Sequence, residues 1–183
     1  MNKIKVLLMA ALVMMTSLTM KAQQDMTFEQ MIPVRVLMPV NKDVKGDALT
    51  ILYNRLNQAV SLNGLGSSTD ESRFLIVTSI TILSKTATPT IPVQYKAELE
   101  MSFYFVDNVK KIILSETTIT KIGMDDNENK AVAKAIKSIQ ARDPKLKKLI
   151  NNGKSRALEY YQAIEGAESE QSESDPDVQW INE

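Results

Sequence analysis

The sequence has no cysteine and no histidine among its 183 residues. Without cysteine there is no disulfide, thiol nucleophile, cysteine-ligated zinc or iron–sulfur cluster, or thioether haem attachment. Without histidine there is no Ser-His or Cys-His relay, imidazole proton shuttle or histidine-ligated metal. Aromatic residues make up only 5% of the chain, and Trp180 is the single tryptophan. Charge of one sign does not dominate either, since 22 bases balance 22 acids. What remains is 44% hydrophobic and 24% charged residues, an ordinary globular composition.

The apolar runs are short. Val6 to Met15 (VLLMAALVMM) follows Lys3 and Lys5, and a polar stretch ends at Lys21-Ala22. A charged start, a short apolar stretch and a small residue at the end form a secretory signal peptide, with cleavage expected after Ala22. Such a run falls short of the ~20 apolar residues that a membrane span needs. No cysteine stands beside the expected cut, so the mature chain is expected to carry neither a lipid anchor nor a transmembrane segment. The expected location is periplasmic or secreted.

Charge then separates along the chain. Residues 23–164 hold 19 bases and 15 acids, whereas 165–183 hold seven acids and no base. We therefore divide the chain into a signal peptide (1–22), a mildly basic domain (23–164) and an acidic tail (165–183), expected to be disordered and ending in a segment with Trp180. The domain is long enough for one core.

Within 23–164 the hydrophobic period changes several times. Pro33 to Val40 predicts a buried strand. From Asp47 to Asn63, Leu49, Leu52, Leu56, Ala59 and Val60 repeat at helical spacing, with Asp47 placed to cap the start and Gly64 to end the helix. Phe74 to Ser84 is rich in branched residues and predicts a central strand. The prolines of Lys85 to Pro92 exclude that segment from a central strand. Val93 to Val106 alternates, with Ala97, Leu99, Met101, Phe103 and Phe105 on one face and Lys96, Glu98, Glu100, Ser102 and Tyr104 on the other. Ile112 to Ile122 returns as its antiparallel partner. Asp125 to Gln140 and a segment opened by Asp143-Pro144 predict two helices, with Gly153 a weak spot in the second. The result is an α+β fold with a mixed sheet of about four strands in the order β-α-β-β-β-α-α.

The stretch VQYKAELEMSFYFVDNVKKIILSETTITKIG (residues 93–123) carries a resemblance. A Tyr opens an alternating strand, Val106-Asp107 closes it, and a turn with Asn and Lys leads to a strand that ends in Lys121. This resembles the hairpin of the periplasmic TolB amino-terminal-like domains, a group that includes CsgG-like secretion proteins and the lipoproteins that activate penicillin-binding proteins. The resemblance spans roughly residues 33–140. Asn108-Val109-Lys110 stands where the group has Thr-Gly, Ile113-Leu114 where a Trp often sits, and the lipid-anchor cysteine is absent. It implies a non-catalytic protein–protein module of envelope assembly or secretion.

Several constellations suggest chemistry and then lose it. Gly153-Lys154-Ser155 spells the end of a phosphate loop, but Lys148 replaces the partner glycine and no strand precedes it. Gly64-Leu65-Gly66 follows a helix, whereas phosphate loops feed one. Asp125, Asn127 and Asn129 have the spacing of calcium-loop ligands, but Lys130 and Ile136 stand where Gly and Glu are needed, so helix capping explains them better. Glu98 and Glu100 share a strand face with Lys96 and Ser102, the composition of a solvated surface. Accordingly we assign no catalytic, cofactor-binding or metal-ligating residue, and expect no cofactor and no enzymatic activity.

Residues 130–156 stand apart, with nine bases and the single acid Asp143. No aromatic residue interrupts them to stack on bases, and secretion also excludes nucleic acid as the partner. They form either a solvated helical face or a docking surface for an acidic partner, an envelope protein above all, or for an anionic envelope polymer. The candidate partner-binding residues are Lys134, Lys137, Arg142, Lys145, Lys147, Lys148 and Trp180. Two alternatives stay open: a self-assembling subunit whose hairpin edge adds strands between copies, making a homo-oligomer, and an envelope-polymer hydrolase using only Glu98, Glu100, Asp125 and Asp126.

Overall fold

In the computed structural model, residues 32–66 and 72–173 are described. The expected signal peptide and the Trp180 segment lie outside them. The elements are β1 (Val34–Val36), α1 (Gly46–Leu62), β2 (Phe74–Ala87), β3 (Tyr95–Asp107), β4 (Ile112–Asp125), α2 (Glu128–Lys137) and α3 (Pro144–Glu173). This is the α+β order that the patterning predicts.

The four strands form one sheet in the order β1-β2-β3-β4. β1 runs parallel to β2, with Val34 opposite Phe74, and α1 makes the crossover between them. β2 and β3 are antiparallel, as are β3 and β4, with Met101 opposite both Ile80 and Ile119. Strict alternation along β3 decides which face is covered. Ala97, Leu99, Met101, Phe103 and Phe105 are fully buried, while Lys96, Glu98, Glu100, Ser102 and Tyr104 are half-buried. All three helices contribute to the same apolar cluster as those odd-numbered residues. Among the described residues the sheet is therefore covered on one face only, as an antiparallel meander permits.

Two glycines set how closely the helices approach. A Cβ on Gly123 would lie 1.9 Å from the Ala131 carbonyl oxygen, so α2 rests directly on the β4 backbone. A Cβ on Gly153 would lie 2.4 Å from the Phe105 ring, which fills the notch that glycine leaves in α3. What reads in the sequence as a weak helical position is thus the point where α3 meets β3. Arg55 of α1 donates to the Lys137 and Ile139 carbonyls at the end of α2, closing the helical layer with a charged donor on otherwise orphan acceptors.

Element ends differ from the expectations for local reasons. β1 stops after Val36 because Leu37 N–H makes its last bond, to the Ile76 carbonyl, and Val40 is 87% exposed. β2 continues through Lys85, Thr86 and Ala87, paired to Ala97, Lys96 and Tyr95, because the prolines that end it come only later. Lys45, not Asp47, is the residue before α1; Asp47 sits in the first turn and pairs with Lys137 at 3.0 Å. Gly64 takes the predicted left-handed conformation at φ 74°. Helix α2 is shorter than its periodic pattern because Asn127 caps it, accepting from the N–H groups of Asn129 and Lys130. The backbone of α3 remains helical through Glu173, across the first residues of the stretch whose composition reads as disordered. Glu, Gln and Ala there are good helix formers, and the helix already running through Leu149 and Ala157 needs no new nucleus.

Candidate functional site

The basic residues of 130–156 do not form a single surface. Lys134 faces Asp125 at 3.8 Å and Lys137 faces Asp47 at 3.0 Å, each bracing α2 against a neighbouring element. Lys145 donates to the Thr118 carbonyl at 2.9 Å, and Arg156 to the Leu114 carbonyl. Both carbonyls belong to β4, the edge strand, so these two cations tie α3 to the sheet. The docking role predicted for Lys134, Lys137 and Lys145 thus meets an internal structural use, because the fold brings acceptors to them that the sequence does not reveal.

Arg142, Lys147 and Lys148 are different. All three are exposed, and none enters an ion pair among the described residues. Arg142 and Lys147 border a shallow groove with Leu62 and Asn63 at the end of α1 and with Ala141. Its apolar floor includes Leu62, which is 49% exposed. Asp143 accepts from Lys145 N–H at 2.9 Å and lies 4.0 Å from Lys121, so this acid faces away from a free role beside the cations. Lys147 and Lys148 also sit just inside the amino end of α3, whose first turn has no acidic residue. The helix dipole disfavours cations there by about 0.3–1 kcal/mol each. Three exposed cations and an apolar floor, beside a helix start whose one acid, Asp143, is taken up by the Lys145 N–H and faces Lys121, make this corner an anion-seeking surface.

The four carboxylates considered for hydrolysis are not brought together. Glu98 and Glu100 lie on the uncovered face of β3, opposite Ile122 and Thr120 of β4. Asp125 pairs with Tyr95, whose side chain packs against the core, and so belongs to the other face. Lys130, hydrogen-bonded at 2.8 Å, holds Asp126 below the usual carboxylate range. The Asn127 side chain, one of the calcium-loop candidates, is engaged in capping α2. No helix of the described residues is long and apolar enough to cross a membrane.

One constellation escapes the sequence analysis. Arg73 Nε and Nη2 donate to Asp107 Oδ2 at 2.9 and 2.7 Å, while Asp107 Oδ1 accepts from the N–H groups of Val109 and Lys110 at 2.9 and 3.1 Å. Asp107 is 2% exposed. Burial raises its pKa, but the Arg73 bond and the two backbone donors outweigh burial and hold it below the usual carboxylate range. The same arrangement raises the Arg73 pKa. The Arg73 guanidinium also lies 4.3 Å from the centre of the Tyr160 ring, with the Lys110 ammonium 3.7 Å from it. Hydrogen bonding with Arg73, then Lys110, lowers the Tyr160 pKa. This cluster locks the β3–β4 turn to the start of β2 and to α3. Asp107 lies 34 positions from Arg73 and Tyr160 lies 87 positions from it, and only Asp107 beside Asn108 signals a turn locally.

No protein-family model and no curated protein matches the chain. Among solved structures, it is similar to a minor lipoprotein from Acinetobacter baumannii at 12% identity and a TM-score of 0.42, covering 69% of this chain and 94% of that one. It is also similar to a PelC dodecamer from Paraburkholderia phytofirmans at 11% identity and a TM-score of 0.40, covering 68% of this chain and 88% of that one. Likeness at this level carries no functional argument.

Proposed function

We propose that the chain is a non-catalytic binding module of the bacterial envelope, periplasmic or secreted, that engages an acidic protein through the corner formed by Arg142, Lys147 and Lys148. The observation that carries this reading is the set of three exposed cations beside the amino end of α3. Lys147 and Lys148 weaken the helix there, and none of the three enters an ion pair among the described residues. The apparent signal peptide supports the location. Over residues 33–140, the strand, helix, strand, hairpin and helix support the resemblance to TolB- and CsgG-like domains, and the turn residue Lys111 at φ 58° supplies a left-handed step in that hairpin. The separation of Glu98 and Glu100 from Asp125 and Asp126 supports binding over hydrolysis.

A surface retained for binding at a cost to the fold has a testable signature. K147E/K148E is expected to raise stability by about 0.5–1 kcal/mol, since acids suit a helix start. The same variant is expected to lose the envelope protein that co-purifies with the unaltered chain after cross-linking in cells. Undiminished co-purification contradicts the proposal.

A further inference from the structure

We infer that the groove between the end of α1 and the start of α3 receives the carboxyl-terminal segment Asp175–Glu183 of a second copy of this chain, with Trp180 seated on Leu62 and Ala141. The inference rests on the binding role proposed above for this corner and names its partner. Complementarity is the first argument. The segment DPDVQWINE carries acids and no base, and it holds the only tryptophan in the protein. The groove offers an exposed leucine floor flanked by the cations Arg142 and Lys147. An indole laid on Leu62 between a guanidinium and an ammonium combines apolar burial with cation–π attraction. Asp175 and Asp177, on the amino-terminal side of the indole, match the positive charge of the same two side chains.

Reach is the second argument, and it excludes the chain's own tail. Helix α3 continues to Glu173. At 1.5 Å per residue, Lys147 and Glu173 are separated by about 39 Å along the helix. The stretch from Glu173 to Trp180 spans at most about 25 Å when fully extended. Trp180 therefore cannot return to the groove of its own molecule, and the complementary surfaces meet only between molecules. The contact is head-to-tail, so successive copies build a ring or an open chain according to whether the rotation closes.

The single tryptophan makes the test direct. For residues 23–183, tryptophan emission and light scattering are followed together across a wide dilution series. Emission is expected to move to the blue as mass increases, and both changes should reverse in high salt. W180A and R142E/K147E should each lower the association constant about tenfold or more, as loss of a central aromatic or its charged frame does. Mixing these two variants should restore a one-to-one complex, because W180A keeps a groove and R142E/K147E keeps a tail. Three results overturn the inference: a monomer with blue emission at every concentration, which means fold-back; a monomer with solvent-like emission throughout; or no complex on mixing. If self-association is absent while K147E/K148E still loses a different envelope protein, the inference fails and the binding role stands.

Discussion

Arg73 and Asp107 show what a single charged contact does in a domain without disulfides. Asp107 is almost fully enclosed and accepts from the guanidinium and from two turn amides at once. Its pKa is depressed in the folded state, so its contribution is complete above the unfolded value near ~3.9 and disappears as pH falls through the lower native value. D107N is expected to cost about 2–3 kcal/mol at pH 7, because it leaves a largely covered guanidinium without its counter-charge. It should also flatten the fall in stability below pH 4, measured by urea unfolding across pH. An unchanged acid limb would show that other carboxylates carry it. The sequence conceals this contact because Arg73 and Asp107 are far apart along the chain, and only folding brings β2's start to β3's end. Gly153 is concealed differently. Its local pattern marks it as a helical liability, and only the Phe105 ring against it reveals why a side chain cannot stand there.

At the scale of elements, periodicity foretells most of the architecture because the buried face is nearly pure. Leu49, Leu52, Leu56 and Val60 on α1, and the odd residues of β3, leave little choice of face or register. The ends are less legible. They depend on where prolines fall relative to a pairing partner, on an Asn127 cap, and on a helix that continues once nucleated. The distribution of cations is less legible still: nine bases in one stretch look alike until β4's edge engages Lys145 and Arg156 and leaves Arg142, Lys147 and Lys148 exposed. That edge role is measurable. R156A should accelerate amide exchange in β4 around Leu114 and α3 around Ala157, with about 1–2 kcal/mol lost, while β1 and α1 stay unchanged. Uniform acceleration would mean that the arginine stabilises the whole fold and has no local role at the edge.

For the whole molecule, the sheet covered on one face, the basic corner and the acidic carboxyl terminus form a protein whose charges are segregated along its length. The body's excess of base and the three lysines of residues 1–22 offset the end's excess of acid, which is why a net charge of zero conceals a polar molecule. The central claim is that the corner around Arg142, Lys147 and Lys148 is the binding surface, and site-specific photo-cross-linking in cells tests it most directly. A photoreactive residue placed at Leu62 should capture a protein adduct, whereas one at Ser102, in the middle of the uncovered sheet face, should not. Adducts from Ser102 with none from Leu62 would contradict the account.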